Sequence, residues 1–319
     1  MSRTSPTTFT LLCASKNEEK DIRVTLETAL AQTYPHKEII FVDDSTDRTK
    51  DIIREYKGKG VILIDGEGKG CCQARNLGLR RATGDVIVFL TADTKLEPGY
   101  LEKILPYYEK GYDCVMVESF SNLDTVYSRF VQVQHLIVAS QANYNPLTTQ
   151  GYSVRREAAL AVGGISGGNY PVNFCRDWTL VKKMDEKGYK KIIDRSIIVG
   201  HISPDNFREY WQVQKTRGLW SAYQPYFLFF RSPLYLFFKF TVKCALTFFH
   251  FALIVPAFWY TGKIASYSKH PARDYFPLYY AYFLHRLARC VGEWQGWWYV
   301  WKYDKTHERP LLGGALDSA

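Results

Sequence analysis

The sequence predicts an α/β fold, a mostly parallel sheet with helices on both faces, followed by a helical region of different character. Three observations predict it. Short apolar runs alternate with amphipathic stretches from residue 9 to residue 90. Polar clusters follow several of those runs at equivalent places, where open α/β sheets bind ligands. Acidic residues then vanish between Leu219 and Thr261.

The elements read in order. Phe9–Ala14 is a buried strand, and Glu18–Gln32 is a helix with Ile22, Leu26, Ala29 and Leu30 on its apolar side. Glu38–Val42 is the next strand, and Thr49–Tyr56 a helix with Ile52, Ile53 and Tyr56 inward. Val61–Ile64 is a strand, Gln73–Ala82 a helix and Asp85–Leu90 a strand. Near-continuous apolar strands joined through helices belong to a parallel sheet covered on both faces. Beyond them, Asp113–Phe120 reads as a strand, Val126–Ala139 as a helix, Ser153–Ala161 and Asp177–Glu186 as short helices, and Ile192–Val199 as a strand. Ala161–Val172, rich in Gly, Asn and Pro, reads as a loop or lid.

The last third is basic and aromatic. The whole chain carries a formal charge of +9 with 8 Trp, 23 Tyr and 19 Phe. Such charge suits nucleotide phosphates, acidic lipid or nucleic acid. The N-terminal part lacks a basic stripe with base-stacking positions, so a nucleic-acid partner is not expected. Cys244–Gly262 is free of formal charge over 19 residues, near the lower limit for a bilayer span. Tyr275–Val300 carries His285, Arg286, Arg289 and Glu293 and reads as an interfacial helix. A buried helical subdomain fits the same composition. The division expected is a catalytic part over 1–218 and a membrane-associated helical region with a tail over 219–319. Seven cysteines without CxxC spacing exclude a zinc ribbon and a disulfide scaffold. The polar N-terminus and the short first apolar run do not read as a secretory signal, so the catalytic part is expected on the cytoplasmic face of the cell membrane.

The polar clusters at strand ends carry the chemistry. Ser15–Glu18 follows the first strand, Asp43–Thr49 the second, and Thr91-Ala92-Asp93 the fourth. Asp43, Asp44 and Asp93 offer carboxylates suited to Mg²⁺ or Mn²⁺. His201 ends a late strand and is a further ligand candidate. Arg75 suits either phosphate or a structural ion pair. Asp177, after Arg176, suits either a helix cap or a base. On residues alone the reading stops at a nucleotide-binding α/β enzyme with a metal.

A resemblance carries it further. Ala14-Ser15-Lys16-Asn17-Glu18, Ile39-Ile40-Phe41-Val42-Asp43-Asp44-Ser45-Thr46-Asp47-Arg48-Thr49, Gly70 through Ala74-Arg75-Asn76-Leu77-Gly78 to Asp85, Phe89–Asp93, Arg155-Arg156, Gly163-Gly164, Arg176-Asp177 and Gly188-Tyr189 stand in one order over roughly two-thirds of the chain. Together they resemble the family-2 glycosyltransferases of the GT-A fold, the group that contains dolichyl-phosphate sugar synthases and cellulose and chitin synthases. The resemblance implies an inverting, metal-dependent transfer of a sugar from a UDP- or GDP-linked donor. It implies donor binding by Ala14, Ser15, Asn17, Glu18, Asp43, Asp44, Arg75, Thr91 and Ala92. It implies Mn²⁺ or Mg²⁺ at Asp93 and His201, and Asp177 as the base or acceptor-orienting group. Arg176, Trp178, Gln214 and Arg217 would meet acceptor or diphosphate, the last two through Gln214-Lys215-Thr216-Arg217-Gly218, which resembles the Gln-x-x-Arg-Trp element with glycine in place of tryptophan. Thr91 stands where the family usually has the first acid of Asp-x-Asp, so it supplies no charge. The acceptor expected is lipid-linked, a polyprenyl or dolichyl phosphate or a lipid-linked saccharide. The alternatives are a processive polysaccharide synthase and a non-catalytic nucleotide-sugar-binding scaffold.

Overall fold

The computed structural model describes residues 6–140, 150–166 and 177–307. Cys175, Arg176 and much of the expected 161–172 loop lie outside those residues. The chain divides into two compact units, Met1–Phe120 with Asn145–Ile202 and Ser121–Tyr144 with Ser203–Ala319.

The described elements run in order β1 (Phe9–Ser15), α1 (Ile22–Leu30), β2 (Lys37–Asp43), α2 (Thr49–Arg54), β3 (Val61–Asp65), α3 (Cys71–Arg81), β4 (Val86–Leu90), β5 (Thr94–Lys95), α4 (Tyr100–Glu109), β6 (Cys114–Ser121) and α5 (Val126–Ala139). They continue with β7 (Ser153–Arg155), α6 (Arg156–Ala161), α7 (Asp177–Glu186), β8 (Lys191–His201), α8 (Phe207–Phe229), α9 (Pro233–Ala252), α10 (Val255–Ala265) and α11 (Pro271–Thr306).

In the first unit the sheet order is β3-β2-β1-β4-β7-β6-β8-β5. β3, β2, β1 and β4 are parallel, whereas β7 runs antiparallel to both β4 and β6, and β5 antiparallel to β8. The sheet is therefore mixed, parallel only in its first half. The expected helix over Ser153–Ala161 is a three-residue strand followed by α6, because Val86, Ile87 and Val88 pair Ser153–Arg155 into the sheet. The first helix begins at Ile22 rather than Glu18, because Ser15–Glu18 is committed to loop hydrogen bonds. α4, absent from the sequence reading, contains Pro106 and covers the sheet through Tyr100, Leu101, Ile104 and Tyr108.

Alternation explains the two covered faces. Phe9, Leu11 and Cys13 of β1 pack with Ile22 and Leu26 of α1, Ile52 and Ile53 of α2, and the α4 residues. Leu12, between them, points to the opposite face with Leu79 of α3, Ala159 of α6 and Leu180 of α7. The pleat thus makes a fully buried strand from an unbroken apolar run. Register then aligns the carboxyl ends, with Ser15 opposite Asp43 and Asp43 opposite Asp65.

The second unit is helical. The expected boundary at 218/219 falls inside α8. α8 and α11 approach so closely that a Cβ on Gly292 would strike the Lys215 carbonyl and one on Gly218 the Arg289 carbonyl. The apolar segment 244–262 is not one helix. α9 ends at Ala252, Ile254 takes φ 61°, and Pro256 opens α10. Among the described residues, the helix long and apolar enough to cross a bilayer is instead Pro233–Ala252, 17% buried over its most apolar window. α11 also departs from expectation. His285 and Glu293 face the interior, and Arg286 and Arg289 bond Thr247 and Ser221 rather than reaching outward.

Candidate active site

At the carboxyl ends of β1 and β2, two loops are laced together. Asp43 is fully buried, and its carboxylate accepts bonds from Ser15 Oγ (2.5 Å), Ser45 Oγ (2.9 Å) and Ser45 N (2.9 Å). Asn17, at φ 58°, donates its N–H to Ser45 Oγ (2.7 Å) and accepts from Thr46 N (2.9 Å). The Glu18 N–H donates to Thr49 Oγ1 at 2.8 Å. Asp44 reaches the next loop, accepting from Gly68 N (2.8 Å) and Gly70 N (3.2 Å) just before α3. Asp43 therefore sets the shape of the loops, while Asp44 and Asn17 are less buried. Ala14, half-buried in β1, contributes its place in the strand.

The second corner lies beyond β4. Thr91 Oγ1 donates to Asp93 Oδ1 at 2.5 Å, and Asp93 Oδ2 meets His201 Nε2 at 3.0 Å. The two side chains are 29% and 17% exposed. β5 makes this pairing possible, because Thr94 registers against His201 and the Ile202 N–H donates to the Asp93 carbonyl. A residue 108 positions further on thus reaches Asp93 through two rungs of sheet. Ala92 is buried, and Thr25 of α1 donates to the carbonyls of Thr94 (2.9 Å) and Thr91 (3.3 Å), holding the turn. Burial opposes ionisation of Asp93, but the bonds from His201 and Thr91 keep its carboxyl below the usual range.

The third corner joins α3 to α7. Arg75 and Asp177, both buried, form an ion pair through Nη1 and Oδ1. Asp177 is the first residue of α7, so the helix N-terminus also favours its negative charge. Trp178 is half-buried beside it.

These corners share one electrostatic neighbourhood. Cys13 of β1 feels Arg75, Asp93 and Glu18. Glu18 feels Asp93, Asp21, Asp47 and Asp43, and burial together with those carboxylates pushes its carboxyl up to about 7. An excess of carboxylate around a partly exposed Asp–His pair is what a divalent cation would relieve. The 3.0 Å between Asp93 Oδ2 and His201 Nε2 is about the ~3 Å separating adjacent ligands of an octahedral ion with ~2.1 Å bonds. The residues fit the ion.

Sequence reasoning missed three supports. Asn76 clasps Ile165, donating to its carbonyl (2.8 Å) and accepting from its N–H (2.9 Å). Glu38 accepts from Thr10 Oγ1 (2.5 Å) and Gly84 N (3.1 Å) at the amino ends of the strands. Thr25 is the third. Each is a polar residue on a helix or strand whose partner is distant in sequence, so no local pattern marks it. Gln214 and Arg217 lie on α8 in the second unit. Gln214 Oε1 meets His285 Nδ1 at 2.9 Å, and Arg217 lies in the field of Arg289.

A mixed α/β sheet with acidic loops at the carboxyl ends of its parallel strands defines the GT-A-like fold. The chain belongs to glycosyl transferase family 2, whose model matches residues 10–169. It is 44% identical over 85 residues to the UDP-Glc:alpha-D-GlcNAc-diphosphoundecaprenol beta-1,3-glucosyltransferase WfaP of Escherichia coli, covering 26% of this chain and 34% of that protein. It is 34% identical over 117 residues to the poly-beta-1,6-N-acetyl-D-glucosamine synthase of Staphylococcus aureus (strain COL), covering 36% and 26%. The chain thus spans well under two thirds of the curated relatives it matches. Its fold is shared with the mannosyltransferase PcManGT from Pyrobaculum calidifontis, solved with GDP-Man and Mn²⁺, at TM-score 0.60 and 19% identity over 92% of this chain and 88% of that one.

Proposed function

We propose that the chain is an inverting, metal-dependent glycosyltransferase that moves a sugar from a UDP- or GDP-linked donor to a lipid-linked acceptor at the cytoplasmic face of the cell membrane. The carrying observation is the gathering of Asp93–His201, the Ser15–Glu18 and Asp43–Thr49 loops and Arg75–Asp177 into one electrostatic neighbourhood at the strand ends. Asp93 and His201 would hold Mn²⁺ or Mg²⁺, which when bound neutralises charge on the departing diphosphate. Asp44, Asn17 and the Ser15–Glu18 loop face the nucleotide, with Asp43 fixing their positions. Thr91 orients Asp93 in place of the missing first acid. The acceptor oxygen attacks the anomeric carbon from the face opposite the diphosphate; the new C–O bond forms as the bond to the phosphate oxygen breaks, so the configuration inverts. Asp177, held by Arg75, takes the proton of a hydroxyl acceptor. A phosphate acceptor is already an anion and asks Asp177 only to orient it. Arg176, Trp178, Gln214 and Arg217 are assigned to acceptor and diphosphate.

Two observations support a lipid-linked acceptor. WfaP is named for an acceptor on diphosphoundecaprenol. α9 exposes Leu234, Phe238, Val242, Leu246, Phe248 and Phe249, and no acid interrupts the surrounding segment. The test is a screen of nucleotide sugars against membrane lipid extracts with and without Mn²⁺, read by product mass and anomeric configuration. A sugar-lipid of inverted configuration formed only with cation is expected. Transfer without cation, with retention, or only to soluble acceptors would reject the corresponding part.

A further inference from the structure

The helical unit contains a charge imbalance that its own residues do not resolve. His285 of α11 lies in the field of Arg289, Arg217, Arg286 and Lys243. These cations come from three helices, α8, α9 and α11. Among the described residues, the carboxylate within this group is Glu293, fully buried and ion-paired with Lys243. The other acids of α11 are engaged elsewhere, Asp274 with Ser268 and Asp304 with Tyr226. Four cations therefore face one carboxylate.

The donors are also underused. Gln214 is fully buried, and its Nε2 has no partner, since its carbonyl oxygen is spent on His285. The buried Nε atoms of Arg286 and Arg289 have none either. The partners these arginines do have, Thr247 Oγ1 and Ser221 Oγ, are neutral hydroxyls. Unpaired buried donors cost more than exposed ones, and excess buried charge is normally matched by an ion. Lys243 and Thr247 belong to the helix that is apolar enough to cross a bilayer, where an ionisable residue facing the bundle marks a functional site. The nearby trio Cys244, Cys290 and Glu293 has ligand atoms within 4.8 Å of one another; Glu293 binds the Lys243 ammonium through Oε1, and its buried Oε2 has no partner.

We propose that Gln214, Arg217, Arg286 and Arg289 form an anion site for a phosphate group, with Lys243 and His285 behind them. Guanidinium forks match phosphate oxygens in pairs, and the amide adds one more donor. A phosphate monoester or diphosphate on a lipid satisfies both the site and the apolar helices around it. This rests on the lipid-linked acceptor reading for the source of the phosphate, not for the existence of the site.

The experiment uses the full chain in phosphatidylcholine nanodiscs. Binding of farnesyl phosphate, farnesol and inorganic phosphate is measured for wild type, Arg286→Gln, Arg286→Lys and Arg289→Gln. Farnesyl phosphate is expected to bind wild type at least tenfold more tightly than farnesol. Each Gln variant is expected to lose about tenfold, and Arg286→Lys to recover part of it. Unchanged Mn²⁺-nucleoside diphosphate binding shows that the variants retain their first unit. Inorganic phosphate competing as well as farnesyl phosphate supports the site and assigns it a soluble source. Equal binding of farnesyl phosphate and farnesol, or full affinity in both Gln variants, overturns it. Phosphate binding without sugar transfer to any lipid would leave the site standing and remove the acceptor reading.

Discussion

The strand ends of the first unit and the interior of the second handle charge in opposite ways. At the strand ends carboxylates gather; Asp43 is met by the hydroxyls of Ser15 and Ser45 and a backbone N–H, Asp93 by Thr91 and His201, and Asp177 by Arg75. In the helical unit cations gather, and their partners sit on other helices, as Arg289 bonds Ser221 68 positions away. The first arrangement is built from loops that follow apolar strands. The second is built from single side chains on helix faces. Both leave charge unbalanced, the first negative and the second positive, and the ligands proposed for them, a cation and a phosphate, are of the opposite sign.

Breaking the acidic corner should have the largest effect. Asp93→Asn is expected to lower sugar transfer by about 10³-fold, since charge neutralisation at the leaving group is worth several kcal/mol, with the fold unchanged by circular dichroism. Asp177→Asn sharpens the picture of the acceptor. Loss on the order of 10²-fold is expected with a hydroxyl acceptor, and little loss with a phosphate acceptor, both measured as kcat. Thr91→Val removes the bond that orients Asp93, together with a hydroxyl contact to Thr94. Mn²⁺ affinity by calorimetry should then fall about tenfold.

The smallest effect concerns Glu18. Its carboxyl is pushed from 4.5 to about 7 by burial first and by Asp93 and its neighbours next. The native chain therefore holds a proton there that the unfolded chain has released. Across that window native protons exceed unfolded ones, so Glu18 makes stability fall as pH rises. In chelator, Glu18→Gln should flatten the decline of melting temperature between pH 5 and 7. An unchanged slope would show that Glu18 is not buried among acids.

These differences also explain what the sequence revealed. The first half of the sheet was legible because β1, β2 and β4 are buried on both faces and read as apolar runs ending in polar loops. In the other half β6 and β8 were legible as strands over Asp113–Phe120 and Ile192–Val199, but β5 and β7 were not, because they have two and three residues and owe their existence to partners far along the chain. Asp93 was visible as a polar residue after a strand. Its pairing with His201 came only through the family resemblance, since no local pattern marks the β5–β8 register that brings the two together. The apolar segment of span length moved from 244–262 to 233–252 because Lys239 and Lys243 interrupt the apolar pattern of α9, and Lys243 is neutralised by Glu293 from α11. A count of charges along one segment cannot register a partner 50 positions away.

The most direct test of the account is the Mn²⁺ affinity of the full chain, in the presence of nucleoside diphosphate, for wild type, Asp93→Asn, His201→Ala and Asp65→Asn. Asp65 ends the neighbouring strand β3, is exposed and pairs with Lys50, so it serves as the control. Loss of at least tenfold in the first two variants and none in the third is predicted. Wild-type affinity in both Asp93→Asn and His201→Ala would contradict the claim that these two side chains hold the ion.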